Sequence, residues 1–473
     1  MKSTSHSFKE NAKAALKNPR LQNSLKVIGQ GFVQKRAKAR AKLPEFDALC
    51  LEAQEIKTHT LEHLDLYLEE YYKQLSAAGG QLHLANTDAD ARNIISRICR
   101  DKNARNITKG KSMISEEIGL NEHLEEAGFR VVETDLGEYI IQLRHEPPSH
   151  IVAPAVHVSA REVEEDFRRV HQHLPANRDL DQPVDLVNEA RGILRHEYIQ
   201  ADVGITGANF LIAQTGSSVI VTNEGNGDLT QSLAPVHIVI TSIDKLVPTI
   251  NDASTLLRVL ARSATGQSIT TYTTFSTGPR RIGDLDGPVE YHVVLLDNGR
   301  TKILGNEFAE ALRCIRCGAC MNHCPVYQAI GGHAYGWVFP GPIGAVLSPN
   351  FLGLDKASDL PHASTLCGRC EQVCPMGIKL PDLLRKWREK DFEADGPPAL
   401  VRGGLAGWAF VAKRPWLYQF MTGLIMPVLK KMAGGKNALH SLPLASGWTK
   451  SRDLPAPSGK TFMAQLKKQM KGQ

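Results

Sequence analysis

Seven of the nine cysteines fall in two short runs. The stretch CIRCGACMNHCPVY (314–327) carries Cys314, Cys317, Cys320 and Cys324, the last followed by Pro325. The stretch TLCGRCEQVCPMGI (365–378) carries Cys367, Cys370 and Cys374, the last followed by Pro375. Thiolates this close together are soft ligands, and the first run matches the C-x2-C-x2-C-x3-C-P pattern that holds a cubane iron–sulfur cluster. Two-residue intervals bend a short loop so that three sulfurs face three irons while backbone N–H groups point at the sulfides. Gly318 permits the tight turn, and the fourth cysteine, one residue further on, faces away before proline ends the segment. Structural zinc uses separated C-x2-C pairs instead, so a cluster is the better expectation.

The second run reproduces only the last three positions, and Ser364 stands where its first cysteine belongs. In two-cluster ferredoxins the last cysteine of each run binds the other run's cluster. That rule predicts one 4Fe-4S site from Cys314, Cys317, Cys320 and Cys374, and a second site from Cys324, Cys367 and Cys370. The second lacks one protein thiolate. Its remaining corner is open to the Ser364 oxygen, water, a partner's residue or substrate, or is missing altogether in a three-iron cluster.

Other candidates are weaker. In TGSSVIVTNEGNG, Ser217, Ser218, Asn223 and Glu224 lie at the ends of a predicted strand, where a loop could hold a small anion, and Glu224 could be a carboxylate catalyst with a small acid bound near it, though a solvated turn is the commoner role. His150 and His157 could meet a substrate carboxylate but have no metal spacing. His333, Tyr335 and Trp337 lie between the runs, where loop packing competes with contact to a cluster or redox partner. Cys50 and Cys99 stand alone in predicted helices and read as core. The dinucleotide fingerprint and the phosphate-binding loop are absent from the sequence, so a nucleotide cofactor has no support. No residue is assigned a catalytic role.

These residues need elements to hold them. Helical spacing runs from Phe46 to about Ala78, with Leu61, Leu64, Leu68, Tyr71 and Leu75 on one stripe and Gly79-Gly80 as a stop. Strand and helix then alternate: QLHLA as strand, DADARNIISRICRDKN and ISEEIGLNEHLEEAG as helices, FRVVETDL and EYIIQLR as strands. From 202 to 300 the pattern is strands with glycine and asparagine turns, and Asp297-Asn298-Gly299 signals a hairpin. EFAEALRC and KLPDLLRKWREKDFEAD read as helices flanking the cysteines, and the Gly-Pro-Pro at 396–398 marks a boundary. The expected organisation is a helical N-terminal region over 1–80, an α/β domain over 81–300, an all-α cysteine domain over 301–395 and a C-terminal extension over 396–473.

At 473 residues several domains are expected. Residues 1–44 hold eleven Lys/Arg against one acid and residues 401–473 twelve against one, while the net charge is only +6, so the middle is strongly acidic. KRAKARAK (35–42) reads as a solvated face or an arm over that acidic body, and no nucleic-acid role is assigned. Odd cysteine number and tight runs argue against a secreted disulfide framework, and the N-terminus has no secretory pattern, so a cytoplasmic location is expected. The tail stretches GLAGWAFVA and WLYQFMTGLIMPVL are too short to span a bilayer; packing on a partner or core is favoured over interfacial docking at the inner face of the membrane.

The chain resembles the lactate utilisation protein B family over nearly its whole length. The resemblance rests on KSMISEEIGLNEHLEEAGFRVVETDLGEYIIQLRHEPPSHIVAP, GITGANFLIAQTGSSVIVTNEGNG, VHIVITSIDKLVPT and two cysteine runs about forty residues apart. It implies a lactate-utilisation α/β domain of the isomerase and CoA-transferase type, followed by an α-helical ferredoxin domain like that of succinate dehydrogenase iron–sulfur subunits, with two clusters on seven cysteines. It also implies two partners, a cysteine-rich subunit and a smaller homologue of the α/β domain, that together oxidise L-lactate to pyruvate and pass electrons to an acceptor the sequence does not identify. The expected role is therefore electron transfer by a subunit inactive alone. An α/β domain that is itself a small-acid enzyme, and a redox-sensing interaction protein, are the alternatives.

Overall fold

The computed structural model describes residues 3–394, 399–442, 449 and 452–471; the expected boundary at 396–398 lies outside them. The chain divides into two units, 1–390 and 391–473.

Within the first unit a six-stranded sheet has the order β1 (Gln81–Ala85), β10 (Glu290–Leu296), β7 (Val236–Ser242), β4 (Val203–Gly207), β2 (Asn106–Lys109) and β3 (Arg130–Glu133). Every pairing is parallel. Strands covered on both faces must be apolar throughout, and VHIVITS and EYHVVLL are buried almost end to end. The chain leaves β2 for the edge strand β3, then returns to β4 on the other side of β2. The sheet's direction of winding reverses there. A second sheet of four strands, β8 (Leu246–Val247), β5 (Phe210–Ile212), β6 (Ser217–Thr222) and β9 (Tyr272–Ser276), lies beyond the ends of β4 and β7.

Several sequence expectations change here. EYIIQLR is helix, Leu136–Arg144, because the Asp135 carboxylate accepts from the Glu138 N–H and caps it. Asp297-Asn298-Gly299 makes no hairpin. Asn298 and Gly299 are left-handed as a hairpin turn requires, but Asp297 accepts from the N–H and hydroxyl of Thr301 and starts the helix Arg300–Leu304. Strand β10 already has parallel neighbours on both sides. ISEEIGLNEHLEEAG is two helices, broken at Gly119, and the long helix from Phe46 breaks at His63. EFAEALRC contains a 3-10 turn over Ala309–Arg313, and the 202–300 region also holds helices Asn226–Leu233 and Ile250–Ala264.

One apolar core joins the N-terminal helices (Phe8, Leu25, Ile28, Phe46), the helix Ile250–Ala264 (Leu256, Val259, Leu260) and the cysteine region (Ile315, Ile343, Leu384). The basic arm is part of it. Arg36 is buried and donates from Nη2 to the Val373 carbonyl at 2.8 Å, and Thr4 N–H donates to the Gly336 carbonyl at 2.7 Å. The arm thus packs on the cysteine module through backbone carbonyls of Val373 and Gly336, whereas the sequence reads as a solvated face or an arm over the acidic body. Arg300, fully buried, grips Glu117 at 2.7 and 3.0 Å and Asp244 at 3.0 Å, tying the ends of β10 and β7 to the helix Met113–Ile118. Removing one partner of such a network leaves a buried charge uncompensated, which costs ~3–5 kcal/mol.

The second unit contains helices Ala399–Ala412 and Pro415–Ala433, which expose Leu400, Trp408, Phe410, Trp416 and Phe420. Among the described residues no helix is long and apolar enough to cross a membrane.

Candidate iron–sulfur centres and an adjoining cavity

The two cysteine runs are the same local structure. In the first, Arg316 sits at φ +60° and Gly318 at +73°; in the second, Leu366 is at +54° and Gly368 at +78°. These left-handed residues turn the chain so that a helical turn follows, Ala319–Asn322 in one run and Arg369–Gln372 in the other. Cys320 and Cys370 occupy equivalent buried places in those turns. The Arg316 N–H donates to Cys314 Sγ at 3.4 Å, and the Leu366 N–H donates to Ser364 Oγ at 3.1 Å. Ser364 therefore occupies the place of Cys314.

Cys314, Cys317, Cys320 and Cys374 line one cavity, walled by Ile151, Ile315, Ile343, Met376 and Leu380. Burial pushes the Cys317 thiol up to about 12, and Cys314 and Cys374 beside it add to that. Cys374 is pushed to about 11 by burial, partly offset by backbone N–H groups of Ile378 and Met376. Cys324 stands with the other run: burial raises Cys370 to about 12, with Cys324 and Cys367 both raising it further. So each run's last cysteine is brought to the other run's group. Cys367 is exposed, whereas Cys317 and Cys320 are buried.

The donor set fits a cluster. Buried thiols pushed this high need a strong positive partner to ionise, which iron supplies, and backbone N–H groups already aim at their sulfurs. Among the described residues no three His, Cys, Asp or Glu close on a point as ligands of a single metal ion.

Tyr335 is buried, its hydroxyl has no hydrogen-bond partner among the described residues, and burial raises it, with Cys324, Tyr327 and Cys320 adding to this. It lies beside both cysteine groups. An orphaned buried hydroxyl is costly, and a cluster or thiolate sulfur would accept from it. His333 is occupied with the Pro147 carbonyl at 2.7 Å, and Trp337 packs on Phe339 and Phe351. His150 bonds Asn322 at 2.7 Å and accepts from the N–H groups of Val152 and Ala153; burial pushes it down to about 4. It pins the loop 149–156 to the first cysteine run. His157 bonds Glu146 and Ser149, each at 2.8 Å. Both histidines are thus structural here. Ser217 and Ser218 are also committed, to Thr277 and Tyr291. Cys50 and Cys99 are buried in apolar clusters within their helices.

A cavity of about 500 Å³ opens where the chain reverses beside β2. Lys111 and Ser112 follow β2, Asp135 follows β3, Asn209 follows β4, Lys245 follows β7, and Asn223 and Glu224 follow β6. In open parallel sheets the loops diverge at such a reversal and leave a crevice at the strands' C-terminal ends. Arg316, from the first cysteine run, completes the lining. Burial raises the Glu224 carboxyl, Asp135 adds to this, and its Oε2 accepts from the Leu136 N–H at 3.2 Å. Sequence reasoning found Glu224 but missed Lys111, Lys245 and Arg316, which converge only through the sheet.

A parallel α/β domain with a crevice at its switch point, packed against a cysteine module built from two repeats, defines an iron–sulfur protein with an attached α/β domain. Residues 68–296 match the LUD domain and residues 310–378 the 4Fe-4S dicluster domain. Lactate utilization protein B of Geobacillus thermodenitrificans is 45% identical over 89% of this chain and 88% of its own. The proteins of the same name from Geobacillus sp. WCH70 and Bacillus pumilus are each 40% identical over 100% of this chain and 99% of theirs. A solved DUF162-family structure from Deinococcus radiodurans, 14% identical, covers 50% of this chain and 98% of its own with a TM-score of 0.28, too loose to bear on the fold. The chain belongs to the lactate utilization protein B family.

Proposed function

We propose that this chain is the electron-transfer subunit of a multi-subunit complex that oxidises L-lactate to pyruvate. The observation that carries this reading is the crossing of the two runs, which groups Cys314, Cys317, Cys320 and Cys374 around one cavity and Cys324, Cys367 and Cys370 beside each other. Those groups are the ligands of a first 4Fe-4S cluster and of a second with three cysteines. When bound, each cubane takes one electron at a time, so the pair divides the two electrons that leave lactate together with two protons. The chain's own part is to hold the potentials: N–H groups of Arg316, Ile343 and Met376 direct positive charge at the first group, and the Tyr335 hydroxyl stands near Cys320 of the first group and Cys324 of the second.

The partners in this reading are a cysteine-rich subunit and a smaller subunit with its own lactate-utilisation domain. The apolar side chains exposed on the two tail helices support a partner surface, because monomers rarely leave so many large apolar groups in water. Anaerobic co-purification with both partners, followed by L-lactate, tests the reading: cluster EPR signals should change promptly. An intact complex that turns lactate over with its clusters unchanged rules it out. Pyruvate formation by this chain alone would instead make the α/β domain the enzyme.

A further inference from the structure

We propose that the cavity at the sheet's switch point binds a small organic monocarboxylate and holds it against the loop that carries Cys314 and Cys317. Lys245 is only 6% exposed and lines this cavity, yet its ammonium has no hydrogen bond or ion pair among the described residues. Arg316 lies over the Phe339 ring at 4.7 Å, and its buried Nη1 also lacks a partner. Lys111 donates one N–H to the Val152 carbonyl at 2.7 Å, and an ammonium has two more to give. Buried donors left without acceptors are costly in a finished protein and are what a bound anion satisfies.

The two acids of the lining are already engaged: Asp135 caps the helix Leu136–Arg144, and Glu224 accepts from that helix's first N–H. Asp244, outside the lining, attracts Lys245, but its Oδ1 accepts from Arg300 and Ser242. Three cations against Asp135 and Glu224 leave the lining one positive charge in excess. A monocarboxylate neutralises that excess, whereas a phosphate dianion overshoots it. Ile151, Val152, Ile220 and Leu260 give the remaining wall an apolar character that suits a carbon skeleton. The volume exceeds a three-carbon acid, so water shares the site and binding is weak, with Kd on the order of 1 mM.

Arg316 makes the site matter to the cluster. Its side chain lines the large cavity and its backbone N–H donates to Cys314 Sγ, and both Arg316 and Ile151 also wall the cavity of the four cysteines. An anion on the guanidinium offsets positive charge close to the first cluster and makes its reduction harder. The identity of the acid as lactate or pyruvate rests on the proposed function; the carboxylate site itself does not.

The test is anaerobic calorimetry on the full chain with its clusters loaded, titrated separately with pyruvate, L-lactate and inorganic phosphate. Pyruvate or L-lactate should bind saturably, and phosphate at least tenfold more weakly. Lys245→Met should weaken the acid tenfold or more, and Arg316→Lys severalfold, with retained cluster EPR signals reporting the fold. If Lys245→Met does not load clusters, Lys111→Met and Arg316→Lys carry the test. Saturating pyruvate should also lower the first cluster's potential while leaving the second's in place. Absence of saturable binding by either acid, binding by phosphate alone, or wild-type affinity in every loaded variant overturns the site. Acid binding by the chain, with clusters that stay unchanged in an intact complex turning lactate over, would leave the site standing and remove the electron-transfer reading; cluster reduction in that complex without acid binding would do the reverse.

Discussion

Residues 314–324 and 364–374 trace one loop twice, fifty positions apart, with the same left-handed residues, the same helical turn and the same N–H bond to the side chain that opens the loop. They differ in two respects. The first opens with Cys314 and buries Cys317 and Cys320 behind the α/β domain; the second opens with Ser364 and leaves Cys367 exposed. The two loops thus share their backbone geometry and differ in the residue that opens them and in the packing around it.

The largest effect comes from breaking the crossing. Cys374→Ala should abolish the first cluster's EPR signal and spare the second, and Cys324→Ala should do the opposite, each with loss of about half the bound iron. If Cys374→Ala leaves the first signal intact, each run serves its own cluster and the ligand groups proposed above are wrong. Next in size is oxygen sensitivity. Mild oxidation should bleach the second cluster first, because one of its cysteines, Cys367, is exposed and an iron bound by oxygen or water is lost more readily than one bound by thiolate. Ser364→Cys should slow that loss severalfold and bring the two decay rates together; equal rates in the wild-type protein would remove the distinction between the sites.

A smaller effect belongs to the residue beside both groups. Tyr335→Phe removes one donor and should lower the potential of at least one cluster, by less than the ~59 mV that a tenfold change in a one-electron equilibrium represents. Unchanged potentials for both clusters would mean that the hydroxyl serves neither. The smallest effect compares the left-handed residues themselves. Leu366→Gly relieves ~1–2 kcal/mol of backbone strain but gives much of it back as chain entropy in the unfolded state, so the melting temperature should barely move. Arg316→Gly gains the same relief and loses the stack over Phe339 and the cavity lining, so it should melt lower than Leu366→Gly. The reverse order would mean that the second loop depends on Leu366 for packing.

The N-terminal arm shows why some of the fold was hard to read. Its basic residues look solvent-facing in the sequence, yet Arg36 is buried against the Val373 carbonyl because the cysteine module offers an acceptor that no local pattern announces. EYIIQLR failed for a related reason: four apolar residues in a short run fit a strand or a helix equally, and only the Asp135 cap and the packing around it decide. The histidines misled in the opposite direction. His150 and His157 are good ligand types, but tertiary contacts with Asn322 and Glu146 occupy them.

What the sequence determined by itself is whatever depends on short-range geometry: the turn at each cysteine run, the missing thiolate at Ser364, the apolar strands that must be buried on both faces, and the family. Spacing along a chain fixes such features because neighbouring residues cannot separate. Only the tertiary structure decided that Lys111, Lys245 and Arg316, scattered over some two hundred residues, line one cavity next to the first cysteine group. Parallel crossovers bring the ends of distant strands together, and a buried charge left without a partner becomes visible only once everything around it has been placed.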